Sequence, residues 1–259
     1  SYGEDDLRWW AARIREWAQR EDRGTFTQRY VYGSAPGPGV SLVIAAGALT
    51  VAVWWLPDDG GSALPLTART VVSFVLVSNI LGTVNPPEEL VRRAHEVGAL
   101  VVVDASQAAP HMPLDVQALG ADIVAFTGHK MCGPTGIGVL WGRRDVLEEL
   151  PPFLGGGEMI EMVTMATSTY AGLPHKYEAG TPPIAQAVGL GAAVDYLSHL
   201  GMDAVAAWEH RLVDLALQAL SAIDGVRIIG PAENVGRGGA VSFVVDGIQL
   251  DGPLASQLR

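Results

Sequence analysis

Three short, almost unbroken apolar runs, each closing on polar side chains, constrain this chain more than any other feature. Val71 to Val77 (VVSFVLV) stops at Ser78-Asn79, Ala99 to Val103 (ALVVV) stops at Asp104, and Asp122 to Phe126 (DIVAF) stops at Thr127-Gly128-His129-Lys130. Strands that are apolar throughout, rather than at every second residue, are buried on both faces, as in a sheet covered by helices. Pro87 to Val97 (PEELVRRAHEV) supplies such a helix, with Pro in its first turn and Gly98 at its end. A short segment, Pro113 to Leu119, fills the next gap, and Gly136 to Trp141 reads as a fourth strand. Strand, helix and strand at this spacing predict right-handed parallel crossovers, and so an α/β fold with a mainly parallel sheet flanked by helices. In such sheets ligands bind outside the carboxyl ends of the strands. Asn79, Asp104 with Gln107, and Thr127, His129 and Lys130 are therefore expected to converge on one sheet edge.

The rest of the chain is scaffold around that unit. Asp6 to Arg23 carries Leu7, Trp10, Ile14 and Trp17 at amphipathic-helix spacing, and Tyr30 to Gly39 is a loop rich in Gly and Pro. Val40 to Leu56 has no charge and approaches membrane-spanning length. Its Ala-Ala-Gly-Ala interruption favours two buried core elements meeting at Gly47. Ala185 to Leu200 and Met202 to Leu220 are helical, broken at Gly201, with Trp208, Leu212, Leu215 and Leu220 expected on an inner face. Val226 to Gly230 and Ala240 to Val245 read as strands. We expect an N-terminal helix and loop over residues 1–39, a large domain over 40–221, and the incomplete start of a small C-terminal α/β domain over 222–259.

Charge and cysteine usage narrow the function classes. A net charge of −11 and a pI near 4.9 disfavour a broad grip on nucleic acid or anionic membrane. The single cysteine, Cys132, excludes an internal disulfide and Cys-rich metal sites, and it reads as a small buried side chain. No metal is expected. The acidic start, Ser1-Tyr2-Gly3-Glu4-Asp5-Asp6, lacks the basic region of a secretory signal, so a cytoplasmic enzyme is the expectation.

Lysine is scarce, with only Lys130 and Lys176 among the 17 basic residues, so a lysine at a strand end needs a reason. Set among small and apolar neighbours, Lys130 reads as a desolvated amine able to form a Schiff base, or else as an ordinary lysine whose head reaches water. Asp104 is either a turn former or the other half of a chemical pair, 130 − 104 = 26 residues earlier on the same edge. Pyridoxal 5'-phosphate needs that pair: a lysine for its aldehyde and a carboxylate to keep its ring nitrogen protonated.

The motifs in order are Val77-Ser78-Asn79-Ile80-Leu81-Gly82-Thr83, Val103-Asp104-Ala105-Ser106-Gln107-Ala108, Phe126-Thr127-Gly128-His129-Lys130, Gly155-Gly156-Gly157-Glu158-Met159-Ile160 and Glu178-Ala179-Gly180-Thr181-Pro182. From about Val71 to Asp246 the chain resembles SufS-type cysteine desulfurases, in the class V aminotransferase group of fold-type I pyridoxal-phosphate enzymes. The resemblance implies that Lys130 carries the cofactor and moves the substrate α-proton, and that Asp104 pairs with the ring nitrogen. It implies that Gln107 bonds the phenolic oxygen with Asn79 beside it, and that Thr127 and His129 hold the phosphate. Thr181 would reach the phosphate of a neighbouring subunit, which implies a homodimer. His111, His175 and His210 carry no motif and read as structural.

The family's Thr-rich phosphate loop and ring-stacking histidine have no counterpart in residues 1–70, and its catalytic cysteine and carboxylate-binding arginine are expected beyond residue 259. Three functions follow. A desulfurase would pass sulfur from L-cysteine to a protein persulfide, with alanine as product, and hand it to an acceptor protein, as in iron–sulfur cluster assembly. A C–S lyase would act on cysteine or a cysteine conjugate by β-elimination, giving a thiol, pyruvate and ammonia, as a domain of a biosynthetic assembly line. A noncatalytic partner-binding module is the third. The intact Asp104, Gln107, His129 and Lys130 favour an enzyme, and the resemblance favours the desulfurase.

Overall fold

The structure, a computed structural model, describes the backbone of residues 40–46, 49–55 and 70–247 and the side chains of residues 71–247. The expected helix at Asp6–Arg23 and the loop at Tyr30–Gly39 lie outside the described residues. The uncharged run forms two strands, β1 (Val40–Ala46) and β2 (Leu49–Trp55), paired antiparallel from Val40↔Trp55 to Ala46↔Leu49. No helix among the described residues is long and apolar enough to cross a membrane.

β3 (Thr70–Val75) runs antiparallel to β2, and β4 (Leu100–Asp104) and β5 (Ile123–Thr127) then pair parallel in the order β3-β4-β5. Parallel neighbours require crossovers, which hold α1 (Pro87–Glu96) and α2 (Val116–Leu119). β6 (Gly138–Gly142) returns antiparallel to β5, because the connection from Gly128 to Ile137 is too short to cross over. A mixed sheet results, parallel at its centre and flanked by helices.

The sequence sets the ends of α1 clearly. Pro87 stands in its first turn with Glu88 and Glu89, Arg93 and His95 in its last, and Gly98 follows at φ 73°. Val91 and Ala94 on its inner face pack on a core that includes Phe74, Val101, Val103 and Val124. Each buried Val or Phe contributes about 1.5–3 kcal/mol. Asp122 is buried here at 1% exposure and fully partnered: Val101 N–H donates at 2.7 Å, His95 Nε2 lies at 2.9 Å and Arg143 Nη1 donates at 2.9 Å. One carboxylate thus ties together α1, β4 and the end of β6.

Beyond the sheet come α3 (Arg144–Glu149), a hairpin of β7 (Ile160–Val163) and β8 (Ser168–Tyr170), and the helices α4 (Ile184–Leu200) and α5 (Met202–Ser221). Gly201, at φ 83°, makes the break between the two helices. β9 (Val226–Ile229) and β10 (Ser242–Val245) pair antiparallel as a separate two-stranded sheet. The expected inner face of α5 is corrected: Val213 and Leu217 are buried, Leu220 is half-buried, and Trp208, Leu212 and Leu215 are exposed. One residue is a turn of about 100° around a helix, so packing on Val213 and Leu217 carries Leu212 off the contact face.

Candidate active site

The carboxyl ends of β3, β4 and β5 each lead into a tight turn, because polar or small residues there satisfy the backbone that the sheet no longer pairs. After β3, Leu76 N–H still donates to Asp104 O at 2.8 Å, and Val77 bridges to Val84. Ser78 Oγ accepts from Ile80 N–H and Leu81 N–H, which folds the turn that carries the exposed Asn79. Gly82, at φ 73°, allows Ala240 O to approach so closely that a Cβ would overlap it.

Asp104 closes β4. Its Oδ1 accepts from Ser106 N–H at 2.8 Å, so it does form a turn, and a carboxylate with two oxygens can serve a ligand as well. Ala105 O then accepts from Ala108 and Ala109, and Ala108 O from His111 and Met112, which winds the segment bearing Gln107 into helical turns. β5 ends at Thr127, whose Oγ1 lies 2.8 Å from His129 Nδ1, and Gly128–Lys130 forms a turn of 3-10 helix. Asp104 faces Ala125 across the parallel ladder, so the β4 and β5 ends lie side by side.

A cavity of about 970 Å³ opens at this edge. Its wall includes Ser78, Gln107 and Lys130, then His111 and Glu209, and beyond them an apolar side with Trp208 and Leu212. Of the sequence-derived candidates, Gln107 and Lys130 therefore share one wall. Asn79, Asp104, Thr127 and His129 stand on the neighbouring strand ends. Thr181 lies apart, exposed in the loop after a 3-10 turn at His175–Tyr177. Just before it, Gly180 N–H donates to Gly157 O at 2.9 Å, and Gly156 packs on Ala179, so the fourth and fifth motifs are held against each other.

Two expectations about this edge are corrected. Lys130 is exposed rather than desolvated, because the 3-10 turn lifts it off the end of β5 into the open cavity. Cys132 is exposed rather than buried: the turn that returns Gly133 N–H to Gly128 O holds Cys132 at φ 62° and leaves its side chain on the cavity wall. His111, left to the scaffold on sequence grounds, also lines the cavity, 2.7 Å from Glu209. Its position four residues after Gln107, on a helical turn, is the signal that would have found it. No cluster of His, Cys, Asp and Glu suited to a metal occurs among the described residues.

The donor set suits pyridoxal phosphate. It offers an amine, a strand-end carboxylate, a side-chain amide, and a hydroxyl–imidazole pair, all at one sheet edge.

Comparison with known proteins agrees with that chemistry. The family model for Aminotransferase class-V matches residues 64–253. A probable cysteine desulfurase of Streptomyces coelicolor is 66% identical over 199 residues, which are 74% of this chain and 48% of that protein. Among solved structures, the apo cysteine desulfurase of Thermococcus onnurineus NA1 superposes at a TM-score of 0.65 with 39% identity, over 68% of this chain and 44% of that one. A C-DES mutant with glycine covalently linked to its PLP cofactor superposes at a TM-score of 0.60 with 26% identity, over 68% of this chain and 47% of that one. The chain spans about half the length of the curated relatives it matches.

Proposed function

The chain belongs to the class V aminotransferase family, and on that premise we propose that the protein it forms part of is a pyridoxal-phosphate-dependent cysteine desulfurase. The observation that carries the reading is the meeting of Lys130 and Gln107 on one cavity wall, beside the strand end that bears Asp104. It is supported by 66% identity to a probable cysteine desulfurase across the same stretch.

Pyridoxal phosphate supplies an aldehyde for an amine and a ring that accepts electrons from the substrate α-carbon. The chain's own groups do the rest. Lys130 would hold the cofactor through its aldehyde, and its Nζ is the group that would move the substrate α-proton. The Asp104 carboxylate would keep a proton on the ring nitrogen, without which the ring accepts electrons poorly. Gln107 would offer an amide N–H to the phenolic oxygen, with Asn79 next to it. Thr127 and His129 would hold the phosphate, and Thr181 would reach the phosphate held by a second copy of the chain, which makes a homodimer the working unit of this reading. The substrate is L-cysteine, the sulfur leaves as a persulfide on a cysteine other than Cys132 for a protein acceptor, and the enzyme works in the cytoplasm. A large domain over 40–221 and a small one starting at 222 complete the reading, supported by the separate β9–β10 sheet.

The test is the fate of the carbon skeleton. Full-length protein incubated with L-cysteine should form alanine in step with sulfide released by a reductant. Pyruvate with ammonia as the dominant products would reassign it as a C–S lyase.

A further inference from the structure

His111 and Glu209 meet inside the cavity, with Nδ1 and Oε2 2.7 Å apart, and neither has a part in the reaction described above. Their surroundings indicate what the contact does. Gln107 and His111 ride the same helical turns, four positions apart, a spacing that puts side chains on one face, and both line the cavity. Glu209 is held from the opposite side. Its Oε1 is buried, has no hydrogen-bond partner among the described residues, and lies against Gly239, where a Cβ would overlap the carboxylate. The adjacent Gly238 donates its N–H to Gly82 O at 2.7 Å, which joins this segment to the turn that carries Asn79. The carboxylate is therefore wedged between the Gln107 segment and the chain that ties down the Asn79 turn. An apolar pair of similar volume would hold α5 in place as well as this contact does. What the polar contact adds is a fixed point, since one ring nitrogen is held against one carboxylate oxygen.

We propose that Glu209 and His111 are a positioning pair, in which Glu209 anchors His111 and thereby sets the direction in which Gln107 faces the cofactor. The proposal rests on the reading of this cavity as a pyridoxal-phosphate site. It is tested on the full-length protein loaded with pyridoxal phosphate, by the visible absorption and circular dichroism of the bound cofactor, by kcat and KM for L-cysteine, and by the thermal midpoint. Glu209→Ala and His111→Ala should each shift the cofactor's circular dichroism and lower kcat about tenfold, the scale on which groups that orient metal ligands act, with KM nearly constant. The double variant should be no worse than either single one. His111→Asn, whose side-chain amide can meet the same carboxylate, should recover most of both signals. His111→Leu, which fills the volume without bonding Glu209, should behave as His111→Ala, and it stands in should the alanine variants not fold. A lowered thermal midpoint with an unchanged cofactor spectrum, or losses that add in the double variant, would overturn the proposal. A wild-type protein that takes up no pyridoxal phosphate would instead defeat the parent reading.

Discussion

The three central strands and the helix pair α4–α5 are both rich in apolar residues, yet they end up in opposite environments. Val101, Val103 and Val124 are wholly covered, whereas Ile184, Val188 and Leu215 stand 63%, 70% and 63% exposed. The strands are covered because each is laid beside the next by a crossover that is local in the chain, with α1 packed across them. The helices bury one narrow stripe, Leu190, Ala193 and Leu197 on α4 and Val213 and Leu217 on α5, and present Tyr196, Trp208 and Leu212 to the cavity. Apolar residues at strand spacing and apolar residues at helical spacing thus carry different information. The first implies its own cover; the second states a need for cover without saying what meets it.

The sharpest way to break the comparison is at the strand end. Lys130 is exposed, so Lys130→Ala should leave the fold intact; under the proposed function, alanine formation by the full-length protein should fall about a thousandfold or more, since Lys130 is the group proposed to move the proton and to hold the cofactor covalently. Far-ultraviolet circular dichroism checks the fold, and loss of yellow colour on dialysis checks the cofactor. Retained colour would remove Lys130 from the site. In the strand core, Phe74 is 2% exposed, and Phe74→Ala should lower unfolding stability by about 3–5 kcal/mol in a denaturant titration.

A smaller effect sits between the two regions. Tyr177 OH donates to Leu147 O at 2.7 Å and to Leu150 O at 2.9 Å, and burial pushes its phenol above the ordinary tyrosine pKa. Tyr177→Phe should cost about 1 kcal/mol near neutral pH. Because the raised folded value favours the protonated phenol, its contribution is fully present below the unfolded pKa of about 10 and is lost as pH climbs from there through the folded value. Stability of the wild type against that of Tyr177→Phe between pH 8 and 11 checks the sign, and a gap that widens with pH would contradict it. The smallest change is expected on the helix side. Trp208 is 58% exposed with the Arg211 guanidinium 5.6 Å from its ring, so Trp208→Ala should alter stability by less than about 1 kcal/mol. A loss matching that of Phe74→Ala would mean that the two regions are buried alike.

What the sequence alone determined is the part governed by local rules. The positions of β3, α1, β4 and β5 and the strand-end placement of Asn79, Asp104, Thr127, His129 and Lys130 were legible, because strand period, proline, glycine and crossover length act over a few residues. So was the family, since five motifs in order survive without knowledge of any contact. The tertiary structure alone decided matters that depend on distant neighbours. Cys132 looked like a core residue from its composition and is exposed, because a left-handed turn, and not its chemistry, sets its direction. Lys130 had apolar neighbours in sequence but open space around it in the fold. The α5 face turned by about one residue, because the docking of Val213 and Leu217, not hydrophobicity summed along the helix, chooses the stripe that is buried. His111 and Glu209 are 98 positions apart in the chain and 2.7 Å apart in space. No periodicity reaches that far; only the packing of α5 over the Gln107 turn brings them together.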